Sequence, residues 1–310
     1  MSELYPWLRL ILRHRRRLLV GGLLMFATIL AGVGLLALSG WFITATALTG
    51  LILAAGGSAY LTIYAPGGGI RFFALGRTVS RYLERLYNHD TVLRLLADIR
   101  VVFFRRLAAS SPDTLGRKRA VDWLNRLTRD IDTLDTLYLQ LVAPPAMALA
   151  GLVLLAGVMV AVAPPLLLAL VPFALLPVVL WLLAGSTLGI SRRQGYQEEA
   201  LRGQLVDAIE GMAELQAAHH WTDEAHSLLE RSRHLDRARQ SIESRTAVAN
   251  AVTLLAIQLA VVISLWTGLV LWRDGALSGP VALLFTLAVL GLGEAFTGLP
   301  AAFGRLGGTL

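Results

Sequence analysis

The sequence predicts an all-α membrane protein with six transmembrane helices and long cytoplasmic extensions. Three observations lead there. Of 310 residues, 55% are hydrophobic and 16% charged, and the mean hydropathy is +0.62; a soluble domain carries about a quarter charged residues. Uncharged stretches as long as membrane spans recur along the chain. The basic residues gather in alternate segments between them, which six spans place on one side of the membrane.

The first uncharged stretch covers residues 18–70. A span needs about 20 apolar residues, so this stretch holds one full span, a turn and part of a second. Gly56-Gly57-Ser58 and Pro66-Gly67-Gly68-Gly69 supply the turn signals. The spans are expected at 18–42 and 58–82, the second tolerating Arg71 and Arg77. Residues 136–191 are uncharged and broken at Ala163-Pro164-Pro165, which predicts spans at 138–162 and 166–190 with a very short connection. Residues 246–272 give a fifth span. The stretch 275–293, interrupted by Glu294, gives a sixth at about 280–303.

Lys and Arg sort with this topology. Five lie in residues 1–17, thirteen in 71–135 and eight in 192–245, leaving Arg273 and Arg305. Six alternating spans put those three segments on one side, and the positive-inside rule makes that side cytoplasmic, with both termini inside. The first apolar stretch is too long for a cleaved signal peptide. The formal charge of +7 therefore follows membrane topology, and no nucleic-acid-binding motif gathers it.

Residues 71–111 and 192–245 contain no proline and keep a helical alternation of apolar and charged positions. They are expected to continue membrane helices into the cytoplasm, where two dozen residues reach roughly 35 Å. Each has one break, Ser110 to Gly116 in the first and Ala217 to Asp223 in the second. Each break is either an ordinary interhelical turn or a short transverse helix presented to a partner under the membrane. On the second reading Asp113, Leu115, Trp221 and Asp223 are the coupling residues.

Several chemistries are excluded. With no cysteine there is no disulfide, thiolate nucleophile or iron–sulfur ligand. The single lysine, Lys118, lies between Arg117 and Arg119, so no Walker A loop exists within these residues. His219, His220 and His226 have only Asp223 and Glu224 nearby, a pattern of solvated surface rather than a metal site.

Two features could carry function. Arg77, Arg81, Arg85 and His89 recur every four residues on one slowly drifting helical face. Either they reach for the interface and pair with acids on neighbouring helices, or they form a basic lane for an anionic ligand, with Arg71 at its start. His89 could also ligate iron through a neutral imidazole. Glu294 is the acid within the last span; it either meets a substrate ammonium or bonds to a neighbouring helix.

Ordered local motifs bring a family likeness. Leu38-Ser39-Gly40-Trp41-Phe42, then Arg81-Tyr82-Leu83-Glu84-Arg85-Leu86 with His89-Asp90, then Leu124-Asn125-Arg126, Asp130 to Asp135 and Leu137-Tyr138-Leu139 are similar to the CydC subunits of CydDC thiol-reductant exporters. Six spans with long extensions resemble the transmembrane domain of a type IV ABC exporter. The resemblance implies ATP-driven export of glutathione and cysteine to the periplasm by a heterodimer with a CydD-like subunit in the bacterial inner membrane, supporting cytochrome bd assembly. It implies ATP and Mg on nucleotide-binding domains that these 310 residues lack, the expectation being a truncated product or a split subunit, with the assembled complex hydrolysing ATP. It also implies haem b, with His89 as axial ligand and Arg85, with Arg81, near a propionate. The alternatives are a haem-binding or haem-transporting membrane protein and a generic exporter domain for peptide or lipid.

Overall fold

A computed structural model describes residues 15–109 and 143–300. The described residues are almost entirely helical: α1 (Arg15–Ala54), α2 (Tyr64–Ala108), α3 (Ala143–Val162), a 3-10 segment (Pro164–Leu170), α4 (Val171–Glu210), α5 (Met212–Ala217), α6 (Trp221–Arg273) and α7 (Gly279–Phe296). Five stretches among them are long and apolar enough to cross a membrane: Arg16–Ala54, Ala143–Val162, Pro164–Leu182, Trp221–Arg273 and Gly279–Phe296. The expected span at 58–82 is not among them. Residues 57–63 are not helical, and α2 then carries Arg71, Arg77 and Arg81 within its first five turns.

The first helix also differs from its expected bounds of 18–42, continuing to Ala54. Polar residues in its last third do not end it, because the hydroxyls of Thr44, Thr46 and Thr49 donate to the carbonyls four residues earlier. It stops at a Schellman cap in which Gly57 N–H reaches the Ile52 carbonyl and Gly56 takes the left-handed conformation at φ 81°. The turn after α6 repeats that cap with Gly275 at φ 72°. At Ala163-Pro164-Pro165 the chain leaves α3 and enters the 3-10 segment, as a proline pair without N–H donors requires.

The helices form two compact units, one from residues 1–174 with 255–299 and one from 175–254 with 300–310. In the first, α1 packs chiefly against α7 and α2. The α1–α2 pair is antiparallel: Leu38 meets Gly69, Gly34 meets Phe73, Gly21 meets Asn88 and Arg17 meets Asp90. The α1–α7 crossing is tight because each helix offers a glycine. A Cβ on Gly40 would lie 3.1 Å from the Leu283 carbonyl oxygen, and one on Gly291 would lie 3.0 Å from the Val33 Cα. Met159, Leu166, Phe173, Val289 and Leu292 are buried, and the rings of Phe173 and Phe296 stack 4.6 Å apart. Leu23, Leu51, Val153 and Trp266 point outward, the side expected to meet lipid tails in helices that are apolar all round.

In the second unit α4 ends at Glu210, α5 is a six-residue helix and α6 begins at Trp221. The α6 helix has 53 residues, roughly 80 Å of helix, against a hydrocarbon core about 30 Å thick. Arg231 donates to Gln204 across from α6 to α4, and Arg239 pairs with Glu243 one turn on.

Candidate functional site

The arginine face of α2 divides in two. Arg77 donates through Nη2 to both carboxylate oxygens of Glu294, at 2.6 and 2.5 Å, and Arg81 donates through its own Nη2 to Oε1 at 2.7 Å. The partners are 217 and 213 residues apart in sequence. They meet because α2 and α7 both flank α1. Gly32 of α1 lies at the cluster: a Cβ there would be 3.4 Å from Arg77 Nε and 3.7 Å from Glu294 Oε2. The side chains are part-exposed, 29% for Arg77, 44% for Arg81 and 47% for Glu294, whereas Gly291, Leu292, Gly293 and Phe296 around Glu294 on α7 are buried.

Glu294 therefore makes the bond to a neighbouring helix that its sequence position allowed, and its charge is answered by guanidiniums. The stoichiometry is uneven, with two cations against one anion. Among the described residues no second acid lies within ion-pair distance of Arg77 or Arg81. The second positive charge is left for water, a partner or an anionic ligand to meet.

Arg85 and His89, further along the same face, are exposed, and among the described residues neither has an ion-pair or hydrogen-bond partner. Arg71 is exposed as well, and the structure does not bring it to Glu294. The described residues contain no group of three or more metal-ligating side chains.

A second ionic cluster lies roughly 20 Å along α2, thirteen residues on at 1.5 Å each. Arg17 of α1 donates to Asp90 Oδ2 at 2.6 Å and Arg94 donates to both Asp90 oxygens at 3.0 and 2.9 Å. The Arg17 guanidinium also stands 6.0 Å over the Tyr87 ring. The bond from Arg17, then that from Arg94, holds the Asp90 carboxyl below its ordinary range. The four-residue spacing of Asp90 and Arg94 on one helix is the sequence signal for their pairing. Beside it the buried Asn88 donates to Glu84 at 2.8 Å.

The second break holds α5, directly before the expected segment, followed by a full Schellman cap: His220 N–H reaches the Leu215 carbonyl and His219 N–H the Gln216 carbonyl. His219 takes the left-handed position at φ 57°, where glycine is usual. Trp221 is half-buried, and Asp223 is 86% exposed in the first turn of α6, where the helix dipole favours an acid. Asp113 and Leu115, in the first break, lie outside the described residues.

The profile of the ABC transporter transmembrane region matches residues 21–293. The chain belongs to this family. It is 33% identical to the Escherichia coli glutathione/L-cysteine transport system ATP-binding/permease protein CydC, over 99% of this chain and 53% of that protein. It is 42% identical to the Haemophilus influenzae CydC of the same description over 46% of this chain and 24% of the relative. It is also 31% identical to the Bacillus subtilis glutathione/L-cysteine transport protein CydD over 80% of this chain and 44% of the relative. The chain thus spans about half the length of the first of these curated relatives. As an ABC transporter membrane region it is a multi-pass membrane protein, and the expected exporter-type helical class agrees with that membership.

Proposed function

We propose that this chain is the membrane-spanning part of a CydC-type subunit which, paired with a CydD-like subunit, exports glutathione or cysteine from the bacterial cytoplasm to the periplasm and so supports cytochrome bd assembly. The observation that carries the reading is the 33% identity with a glutathione/L-cysteine CydC protein over 99% of the chain. The Arg77–Glu294–Arg81 cluster supports it, because an ionisable side chain within an apolar span, as Glu294 is, marks a solute pathway more often than a lipid face. Arg71 would then lie at one end of that pathway.

In this reading the first half of α2 is the sixth span, its arginines made tolerable by pairing and by the partner subunit. The membrane is the inner membrane, with both termini and the helix extensions on the cytoplasmic side. Nucleotide-binding domains supply the ATP and Mg site and close on ATP. Their movement reaches the spans through the two breaks, where the α5 cap with Trp221 and Asp223 and the segment with Asp113 and Leu115 take up the push. A continuous helix such as α6 is suited to carry it, since a helix transmits displacement along its axis with little loss.

The test is ATP-dependent uptake of labelled glutathione into inverted membrane vesicles that carry the chain with its CydD-like partner. Uptake above that of vesicles lacking the chain is expected. Equal uptake removes the assignment.

A second reading, haem as ligand or cargo, is favoured by the exposed His89 and Arg85, one turn apart and without a partner among the described residues. A neutral imidazole and a guanidinium fit the iron and a propionate respectively. Arg81, the third member of that set, is engaged by Glu294. The assembled complex would show a Soret band that His89→Ala abolishes; a band of undiminished height means the iron is held elsewhere.

A further inference from the structure

We infer that the Arg77–Glu294–Arg81 cluster selects the cargo by its α-amino-acid end, the carboxylate and ammonium, and not by its thiol. The inference rests on the exporter reading and assigns one recognition point within it.

The argument starts from unused hydrogen-bonding capacity. Each guanidinium spends only its Nη2 on Glu294, which leaves Nη1 and Nε of both arginines as donors, and a guanidinium fork suits a carboxylate. Two cations against one carboxylate leave one positive charge to attract an anion, on side chains that are part-exposed and so within reach of one. Glu294, half-exposed beside the two forks, is placed to accept from an ammonium on the carbon next to a carboxylate held by the arginines. A carboxylate on the arginines and an ammonium on the glutamate reproduce the charge pattern of an amino acid in mirror image. Gly32 lets the α1 backbone pack against Arg77 and Glu294 on one side, so a ligand would approach the cluster from its exposed side. Nothing comparable exists here for sulfur: the chain has no cysteine to exchange with a thiol, and the groups in the cluster are hard oxygen and nitrogen donors that do not distinguish a thiol from a thioether.

The experiment is competition against labelled glutathione uptake in inverted vesicles carrying the exporter complex with this chain. S-methylglutathione keeps both charged ends and blocks the thiol, whereas cysteamine keeps thiol and ammonium and lacks the carboxylate. S-methylglutathione is expected to compete within about threefold of unlabelled glutathione, and cysteamine at least about tenfold more weakly than cysteine, from which it differs by the carboxylate alone, the loss of one charge-assisted contact. Arg81→Gln is expected to raise the KM for glutathione by about tenfold on the same basis. The competition on the unsubstituted complex needs no variant, so misfolding of Arg81→Gln cannot mimic the result. Cysteamine competing as well as cysteine while S-methylglutathione fails would overturn the inference and leave the exporter reading standing. No ATP-dependent uptake at all would remove the exporter reading and the inference with it.

Discussion

Two clusters in the α1–α2–α7 unit have the same composition, one carboxylate shared by two guanidiniums, and differ in almost everything else. In one, Glu294 ties α7 to α2 through Arg77 and Arg81. In the other, Asp90 ties α2 to α1 through Arg17, with Arg94 one turn away on the same helix. The first lies on the last apolar span; the second lies where α1 begins its apolar run, next to the basic Arg15-Arg16-Arg17 end. Water and salt can reach Asp90 and replace what a mutation removes. Glu294 is as exposed as Asp90, 47% each, but it sits within an apolar span, where lipid or the partner subunit is expected beside it, so losing it is expected to cost more than losing Asp90.

The largest effect is expected from Glu294→Gln, which leaves two guanidiniums without their anion. A loss of about 2 kcal/mol is expected, the size of a hydrogen bond to a charged group discounted for partial exposure, read as a lower denaturation midpoint of the purified complex. The double variant Glu294→Gln with Arg77→Gln should cost less than the sum of the singles, since each removes the same interaction. Additive losses would mean that the pair does not couple α2 to α7.

Packing gives the next effect and separates charge from contact. Gly291→Val would drive a branched side chain into the Val33 backbone, where a bare Cβ already lies at 3.0 Å. Overpacking of this kind costs about 1–3 kcal/mol. If Glu294→Gln loosens the α1–α7 contact as much as Gly291→Val, judged by proteolysis at the Arg273-Asp274-Gly275 turn, charge and not glycine packing positions α7.

The smallest effect belongs to Asp90→Asn and depends on conditions. The Asp90 carboxyl is held below its ordinary value of 3.8, so its contribution is present above that pH and fades as pH falls through the lower folded-state value. Wild type and Asp90→Asn should therefore differ at neutral pH in low salt and converge in acid or in high salt. A salt-independent difference would place Asp90 in a drier setting than its exposure indicates.

Much of this was legible in the sequence. The helical class, the Pro164-Pro165 connection and the turns at Gly56 and Gly275 follow from uncharged stretches and local backbone chemistry. Arg77 and Glu294 were each marked by a charge in an apolar context. Their pairing was not, because contact across 217 residues depends on how α2 and α7 pack on α1, which helical spacing does not encode. The bounds of α1 were missed for a simpler reason: its threonines satisfy their own hydroxyls and extend the helix beyond the apolar count. His219 shows the reverse case, a left-handed cap position that sequence rules assign to glycine.

The measurement that bears most directly on the central claim, that the Arg77–Glu294–Arg81 cluster faces a solute pathway, uses the absence of native cysteine in this chain. Glu294→Cys, assembled with the partner subunit in membranes, would be treated with a charged, membrane-impermeant maleimide, and labelling of this chain would be read by mass. The account predicts labelling that S-methylglutathione slows. A residue that the impermeant reagent never labels, but a lipid-soluble maleimide does, would place the cluster against lipid and contradict it.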